Sequence, residues 1–415
     1  MHETKQEMTI ALLAGVDLGE SDTEESLAEL RELARTAGAE VAGVICQKRP
    51  SPDPATCVGS GFLQEMKEFC QSNDVSLIIF DRELSPIQLR NIEDATDVRT
   101  IDRTMLILDI FAARARSNEG KLQVELAQLR YMLPRLTGKG VAMSRLGGGI
   151  GTRGPGETKL ETDRRHIHRR IDSLKEKLDD VARQRGRHRE RRKRDGVVTV
   201  AIVGYTNAGK STLLNALTDA GVLSEDMLFA TLDPTARALE LPSGSSVMLV
   251  DTVGFIRRLP HHLIEAFKST LEEAVQADVI LNVCDCSSPV FRDHLRITNE
   301  LLQQLGATDK PILTVLNKTD AADPDSILGV EGVRISAKNG EGFSALLEAI
   351  EEALPVKKIR TRLLFPFHQI GQSALIRENG TVFSEEYTDE GLVIDCLIDT
   401  ITAEKSKRYA KIIDL

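Results

Sequence analysis

Two spacings of apolar residues alternate along this chain, and the changes between them divide it. Over the first hundred residues, short apolar runs at 8–13, 41–46 and 75–80 read as strands. Between them the spacing turns helical. Ser21 or Asp22 can cap a helix carrying Leu27, Leu30, Leu33 and Ala34, and a second helix starts near Phe62. Pro50, Pro52 and Pro54 interrupt regular structure. This alternation predicts a small α/β domain with a parallel sheet over residues 1–103. From 104 to 133 the pattern is helical, with Leu122, Leu126, Leu129 and Leu133 on one seam. A second helix from about Lys159 places Leu160, Ile167, Ile171, Leu174, Leu178 and Val181 at alternating three- and four-residue steps, with Arg164 in one seam position. Two such seams joined by a loop predict an antiparallel helical hairpin over 104–195.

Further on, apolar runs at 197–203, 247–251, 279–285, 312–317 and 333–336, with helical stretches between, predict a doubly wound parallel sheet over 196–356. Residues 357–415 read as a small α+β domain, with a short helix near 369–377 and turns at Asn379-Gly380 and Asp389-Glu390-Gly391. The predicted fold class is therefore multidomain α/β, and 415 residues suffice for several cores.

Charge changes the picture of the hairpin. The chain has a formal net charge of −10, yet residues 135–195 hold 19 Lys/Arg against 9 Asp/Glu. A basic arm on an acidic body suits a polyanion, most simply RNA, and the acidic body discourages non-specific contact. The plainer reading is a solvated helix face. Eight of the 30 glycines fall within 138–156, between the two helices, a stretch too poor in apolar residues to pack on itself. Six cysteines form no Cys-x-x-Cys pair, and the histidines lack zinc spacing around them, so they read as buried thiols of a reduced compartment. No apolar run approaches a membrane span, which places the chain in the cytoplasm with any membrane association peripheral.

The candidate chemistry centres on Gly204-Tyr205-Thr206-Asn207-Ala208-Gly209-Lys210-Ser211, with Thr212 following. An apolar strand precedes it and a helical pattern follows, the context of a phosphate-binding P-loop. Backbone N–H groups and the helix N-terminus attract the phosphates, Lys210 reaches the β- and γ-phosphates, and the Ser211 hydroxyl suits magnesium. Asp251-Thr252-Val253-Gly254 ends a later strand, where Asp251 can hold magnesium through water and the Gly254 N–H can sense the γ-phosphate. Asn317-Lys318-Thr319-Asp320 supplies a carboxylate that accepts from both donors of the guanine edge, and Ser336-Ala337-Lys338 suits a backbone contact to the guanine carbonyl. Phe229-Ala230-Thr231-Leu232-Asp233 is the candidate first switch, with Thr231 closing on magnesium and Thr235 as the competing threonine. Val58-Gly59-Ser60-Gly61 reads as a turn before a helix.

These four motifs, in this order and each at a strand end, resemble the signature of Ras-like GTPases of the translation-factor class. Upstream, Gly138-Lys139-Gly140, the run 144–158 and Glu161-Thr162-Asp163-Arg164-Arg165 resemble the HflX family, as does the stretch 229–235. The resemblance spans roughly residues 1–356. It implies a GTPase that binds GTP and GDP with Mg2+ and docks on the large ribosomal subunit and its rRNA; a monomer is expected, although the sequence itself does not reveal oligomeric state. It further implies that the hairpin reaches the peptidyl-transferase region and that ribosomes are split under stress. Arg145, Arg153, Arg164, Arg165, Arg169 and Arg170 are the RNA-contact candidates, and Lys210, Thr231 and Gly254 the catalytic ones. Phe255 stands where Ras-like enzymes carry the water-orienting glutamine, a substitution the family shares, so hydrolysis by the chain alone should be slow and await a partner. Asn207 resembles the P-loop asparagine of potassium-activated GTPases, which makes K+ a second candidate ion. Phe62 replaces a lysine frequent in the family, which weakens any second nucleotide site in the N-terminal domain. Two other readings stay open: a GTP-gated RNA chaperone or ribosome assembly factor, and a regulator that docks a protein or membrane partner through its tail.

Overall fold

The computed structural model describes residues 9–19, 22–136, 159–194, 197–218, 228–229, 233–257, 273–307, 309–355 and 358–413. The glycine-rich loop, Arg145, Arg153, Ala230, Thr231 and Leu232 lie outside the described residues. The chain forms two compact units. One runs to Arg187 and takes in Leu228, Phe229, Asp233 and the segment 254–257; the other holds the remaining described residues.

In the first unit, β1 (Thr9–Asp17), β2 (Ala39–Lys48), β3 (Leu77–Phe80) and β4 (Arg99–Asp102) form a parallel sheet in the order β2-β1-β3-β4. The inner strand β3 is buried at all four residues, as expected when both faces are covered. Helices α1 (Thr23–Thr36) and α2 (Ser60–Ser72) follow the expected spacing, and Leu27, Leu30, Leu33 and Ala34 are buried. Two further elements escaped the pattern. Helix α3 (Pro86–Thr96) starts on a capping box between Ser85 and Gln88 with proline in its first turn, and β4 has only four residues.

The helical stretch expected from 104 to 133 is two helices, α4 (Arg103–Arg114) and α5 (Asn118–Met132). The break is local chemistry: Ala115 leaves the helix in an extended conformation, and the Ser117 hydroxyl accepts the Gly120 N–H to start the next one. Helix α4 buries Leu106, Ile107, Leu108, Ile110 and Phe111. The hairpin proper is α5 with the 36-residue α6 (Lys159–Arg194). Leu122 and Leu126 pack with Ile167, Ile171 and Leu174, flanked by Leu129, Leu133, Leu136 and Leu178. Most of the seam read from the leucine spacing is thus the observed core of this pair, while Val181 is only partly buried and lies outside it. Arg170 forms a forked pair with Glu125 across it, at 2.6 and 2.8 Å.

The second unit is built on a six-stranded sheet in the order β10-β9-β8-β5-β7-β6. Its strands are β5 (Val198–Gly204), β6 (Thr235–Glu240), β7 (Ser246–Asp251), β8 (Val279–Asp285), β9 (Ile312–Asn317) and β10 (Val333–Arg334). All neighbours are parallel except β6, which runs antiparallel to β7. Edge strand β6 was hidden in the sequence because four of its six residues are exposed. It contains Thr235, which sits opposite Asp251. Helices α7 (Lys210–Thr218), α8 (Phe291–Gln304) and α9 (Phe343–Ala353) accompany the sheet. Val200, Ile202, Leu213, Leu214, Leu249, Leu281, Val283, Leu346 and Ile350 are among the residues of its core.

The C-terminal part is an antiparallel sheet of β11 (Lys358–Pro366), β12 (Gly380–Thr388), β13 (Gly391–Asp399) and β14 (Lys411–Ile413) in the order β12-β13-β11-β14. It carries a 3-10 turn at Phe367–Ser373 and two short helices, α10 (Ala374–Asn379) and α11 (Thr400–Ser406). Among the described residues, no helix is long and apolar enough to cross a membrane.

Candidate nucleotide-binding site

Strand β5 lies between β8 and β7, where the strand order reverses direction, so the loop leaving it opens on the crevice that doubly wound sheets use for ligands. Both glycines of that loop are demanded by their surroundings. Gly204 has φ +150°, and a Cβ there would come 2.1 Å from the Val283 carbonyl oxygen on β8. Gly209 has φ +90°, and a Cβ there would meet the Asn317 side-chain amide at 2.3 Å. Asn207, with φ +60°, supplies the remaining left-handed turn and is exposed. The loop then runs into the N-terminus of α7, whose first N–H groups lack intrahelical partners.

Lys210 is buried, and its Nζ donates to the carbonyls of Tyr205 at 2.9 Å and Gly204 at 3.3 Å. Burial pushes its ammonium down to about 8, opposed by the carboxylate of Asp251. Ser211 Oγ donates to Asp251 Oδ2 at 2.7 Å, and Asp251 is fully buried. A hydroxyl and a carboxylate so placed are the hard oxygen donors magnesium takes while keeping several waters. Thr252 turns inward, its hydroxyl donating to the Ile202 carbonyl at 2.8 Å. This bond ties the end of β7 to β5. Thr212 lies half-buried in the first turn of α7.

The candidate base-recognition loops are stitched to the P-loop. Asn317 Nδ2 donates to the Ala208 carbonyl at 2.8 Å, while Asn317 Oδ1 accepts the Ala337 N–H at 2.9 Å. Ser336 Oγ donates to Asp320 Oδ1 at 2.7 Å and accepts the Asn339 N–H at 3.2 Å. Asp320 is therefore held with one oxygen engaged and its body exposed. Lys318, with φ +64°, pairs with Asp285 at 2.7 Å. Lys338 is exposed. Asp285 was missed in the sequence, although a carboxylate closing an apolar strand was a usable signal. Tyr205 stacks on His294 of α8 with ring centroids 3.9 Å apart, a partnership that no sequence pattern announced.

The switch candidates belong to the first unit and have their own contacts there. Phe229, with φ +55°, meets Phe111 edge-to-face at 4.7 Å. The Asp233 carboxylate accepts the N–H of Arg116 at 2.9 Å and of Ser117 at 2.8 Å. Gly254 is partly buried, and Val253 and Phe255 are buried. Arg257 pairs with Glu25 at 2.9 Å and Asp22 at 3.5 Å, and its carbonyl accepts from Arg103 at 3.3 Å.

A glycine loop at the sheet's reversal point, a buried Lys-Ser-Asp group and an Asn-Lys-x-Asp loop braced behind it define a P-loop GTPase. The comparisons agree. Residues 24–112 match the family described as GTP-binding GTPase N-terminal, 114–192 its Middle Region, and 199–318 the 50S ribosome-binding GTPase. GTPase HflX of Lacrimispora saccharolytica is 51% identical over 401 residues, covering 95% of each chain. That of Caldanaerobacter subterraneus is 49% identical over 409 residues, 99% of this chain and 95% of its own. That of Escherichia coli K12 is 43% identical over 363 residues, 86% and 85% respectively. A GDP-bound GTP-binding protein from Sulfolobus solfataricus is 27% identical over 83% of this chain and 98% of its own, with a TM-score of 0.45. The chain belongs to the HflX GTPase family and is a GTP-hydrolysing enzyme.

Proposed function

We propose that this chain is a GTP-controlled factor of the large ribosomal subunit that separates or rescues ribosomes under stress. The observation that carries the reading is the α5–α6 hairpin. Thirty-six residues of continuous helix reach about 54 Å, and the arm concentrates the chain's positive charge. Such an arm is slender enough for a crowded RNA channel and charged enough to bind its walls. Arg164, Arg165 and Arg169 are exposed along α6 and offer phosphate contacts. Arg170 already shares its guanidinium with Glu125 and contributes less. The match of residues 199–318 to a 50S ribosome-binding family supports the same partner.

In this reading Lys210 and the P-loop N–H groups hold the β- and γ-phosphates, and Asp320 reads the guanine edge. Ser211, Thr231 and Asp251 are the magnesium donors, Asp251 through water; when bound, the ion neutralises phosphate charge. Gly254 offers its N–H to the γ-phosphate. Phe255 carries no polar atom and cannot orient water, so hydrolysis by the chain alone is slow and the ribosome completes the site. Asn207 is the donor proposed for a potassium ion, and equal GTP turnover in potassium and sodium buffers would remove that assignment.

The test is co-sedimentation with separated ribosomal subunits, with a non-hydrolysable GTP analogue and GDP in parallel. Retention on the large subunit with the analogue, weakening steeply as salt rises, is expected. Light scattering on intact ribosomes then reads subunit separation. Binding without separation would leave an assembly factor, and binding indifferent to salt would point to a protein partner.

A further inference from the structure

Thr206 is the buried polar side chain between the two P-loop glycines. Its neighbours are accounted for: Tyr205 stacks on His294, Asn207 is exposed, and Ala208 is buried and apolar. Thr206 is 6% exposed, and its Oγ1 has no hydrogen-bond partner among the described residues. A buried hydroxyl left without a partner is costly, and such a group at a candidate site calls for a bond completed by a ligand. The carbonyls of the two residues before it, Gly204 and Tyr205, receive Lys210 Nζ, the proposed partner of the terminal phosphates, so Thr206 belongs to the same turn of the loop. Phe255, which follows Gly254, is buried and brings no polar side-chain atom to the proposed reaction.

We infer that the Thr206 hydroxyl is a catalytic residue of GTP hydrolysis, donating a hydrogen bond to an oxygen of the transferring γ-phosphoryl group. Water attacks the γ-phosphorus, and the bond to the β–γ bridging oxygen breaks. Its electron pair leaves on the GDP β-phosphate, and the water's proton passes to the released phosphate. Thr206 keeps its own proton throughout. Its bond strengthens as charge builds on the phosphoryl oxygens and falls away with the phosphate, so it acts on GTP and not on GDP.

The experiment is single-turnover GTP hydrolysis by the full chain without ribosomes, beside equilibrium affinity for GDP. Its outcome is therefore separate from that of the ribosomal reading. Thr206→Val keeps the shape and removes the hydroxyl, Thr206→Ala removes it without asking for room, and Thr206→Ser restores it. The expected result is hydrolysis slowed about tenfold or more in the Val and Ala variants, GDP affinity within about twofold of the parent, and a rate near the parent's in the Ser variant. Parent-like hydrolysis in Thr206→Ala overturns the inference. So does a Ser variant as slow as the others, or loss of GDP affinity in step with the rate, each of which assigns Thr206 to packing of the loop.

Discussion

The carboxylate of Asp233 caps the helix that Ser117 begins. It accepts the N–H of Arg116 at 2.9 Å and of Ser117 at 2.8 Å, and the Ser117 hydroxyl donates to its other oxygen. Ser117 in turn accepts the Gly120 N–H at 2.8 Å. A carboxylate on a helix N-terminus satisfies orphan donors and meets the positive end of the helix dipole. Asp233→Ala should therefore cost about 1–2 kcal/mol of stability, and Ser117→Ala about 1 kcal/mol. Because the two share one network, the double variant should cost clearly less than the sum. Denaturant unfolding of the four proteins measures this, and strict additivity would show that the capping bond carries no energy.

Asp320 is the proposed reader of the guanine edge. Its carboxylate is held by Ser336 Oγ at 2.7 Å, so in the proposed role it would meet the base in a fixed position. Asp320→Asn replaces an acceptor with a donor and leaves guanine donors unmatched, so GTP affinity should fall at least about a hundredfold. Xanthosine triphosphate, which presents a carbonyl there, should bind better to the variant than to the parent. Competition binding with both nucleotides reads the exchange, and an unchanged preference for guanine would remove Asp320 from base recognition.

The proposed phosphate contact of Lys210 predicts a pH limit on nucleotide binding. Burial lowers its ammonium to about 8, from an unfolded value of 10.5. Because the folded value is depressed, burial of the charged lysine opposes folding below about pH 8, and that penalty is relieved as pH rises towards 10.5. Phosphate works in the other direction, since it favours the ammonium. GDP affinity should be level below about pH 8 and fall above it, approaching tenfold per pH unit. Equilibrium titrations between pH 7 and 9.5 test this, and a flat profile would show that the ammonium persists in the free protein.

Leu174 is fully buried in the hairpin seam. Leu174→Ala should cost about 2–5 kcal/mol and loosen the α5–α6 pair, while Arg169→Ala on the exposed face should leave stability within about 0.5 kcal/mol. Hydrogen exchange along α5 and α6 separates the two, with faster exchange in the Leu174 variant alone. Equal protection in both would place the hairpin's stability outside this seam.

Much of the site was legible because its parts are short and local. A glycine loop between an apolar strand and a helix can be read without knowing its neighbours, and so can Asp251 and Asp320 at strand ends. The hairpin seam was legible for a related reason: a leucine every three or four residues has one economical use. Elements set by end effects were harder to see. Ser117 splits a continuous helical pattern through one side-chain bond, β4 has four residues, and edge strand β6 buries too little to show a period.

The sequence by itself determined the succession of strand and helix patterns, the nucleotide chemistry and the charge asymmetry, because covalent spacing, residue type and apolar period are local quantities. Only the tertiary structure decided which groups satisfy one another. It gave Asn317 to the Ala208 carbonyl and the Ala337 N–H, Ser336 to Asp320, Tyr205 to His294 and Asp233 to the start of α5. It also left the Thr206 hydroxyl buried without a partner among the described residues. Each of these depends on where distant strands and helices end in space, and a hydrogen bond tolerates only a few tenths of an ångström of error in that placement.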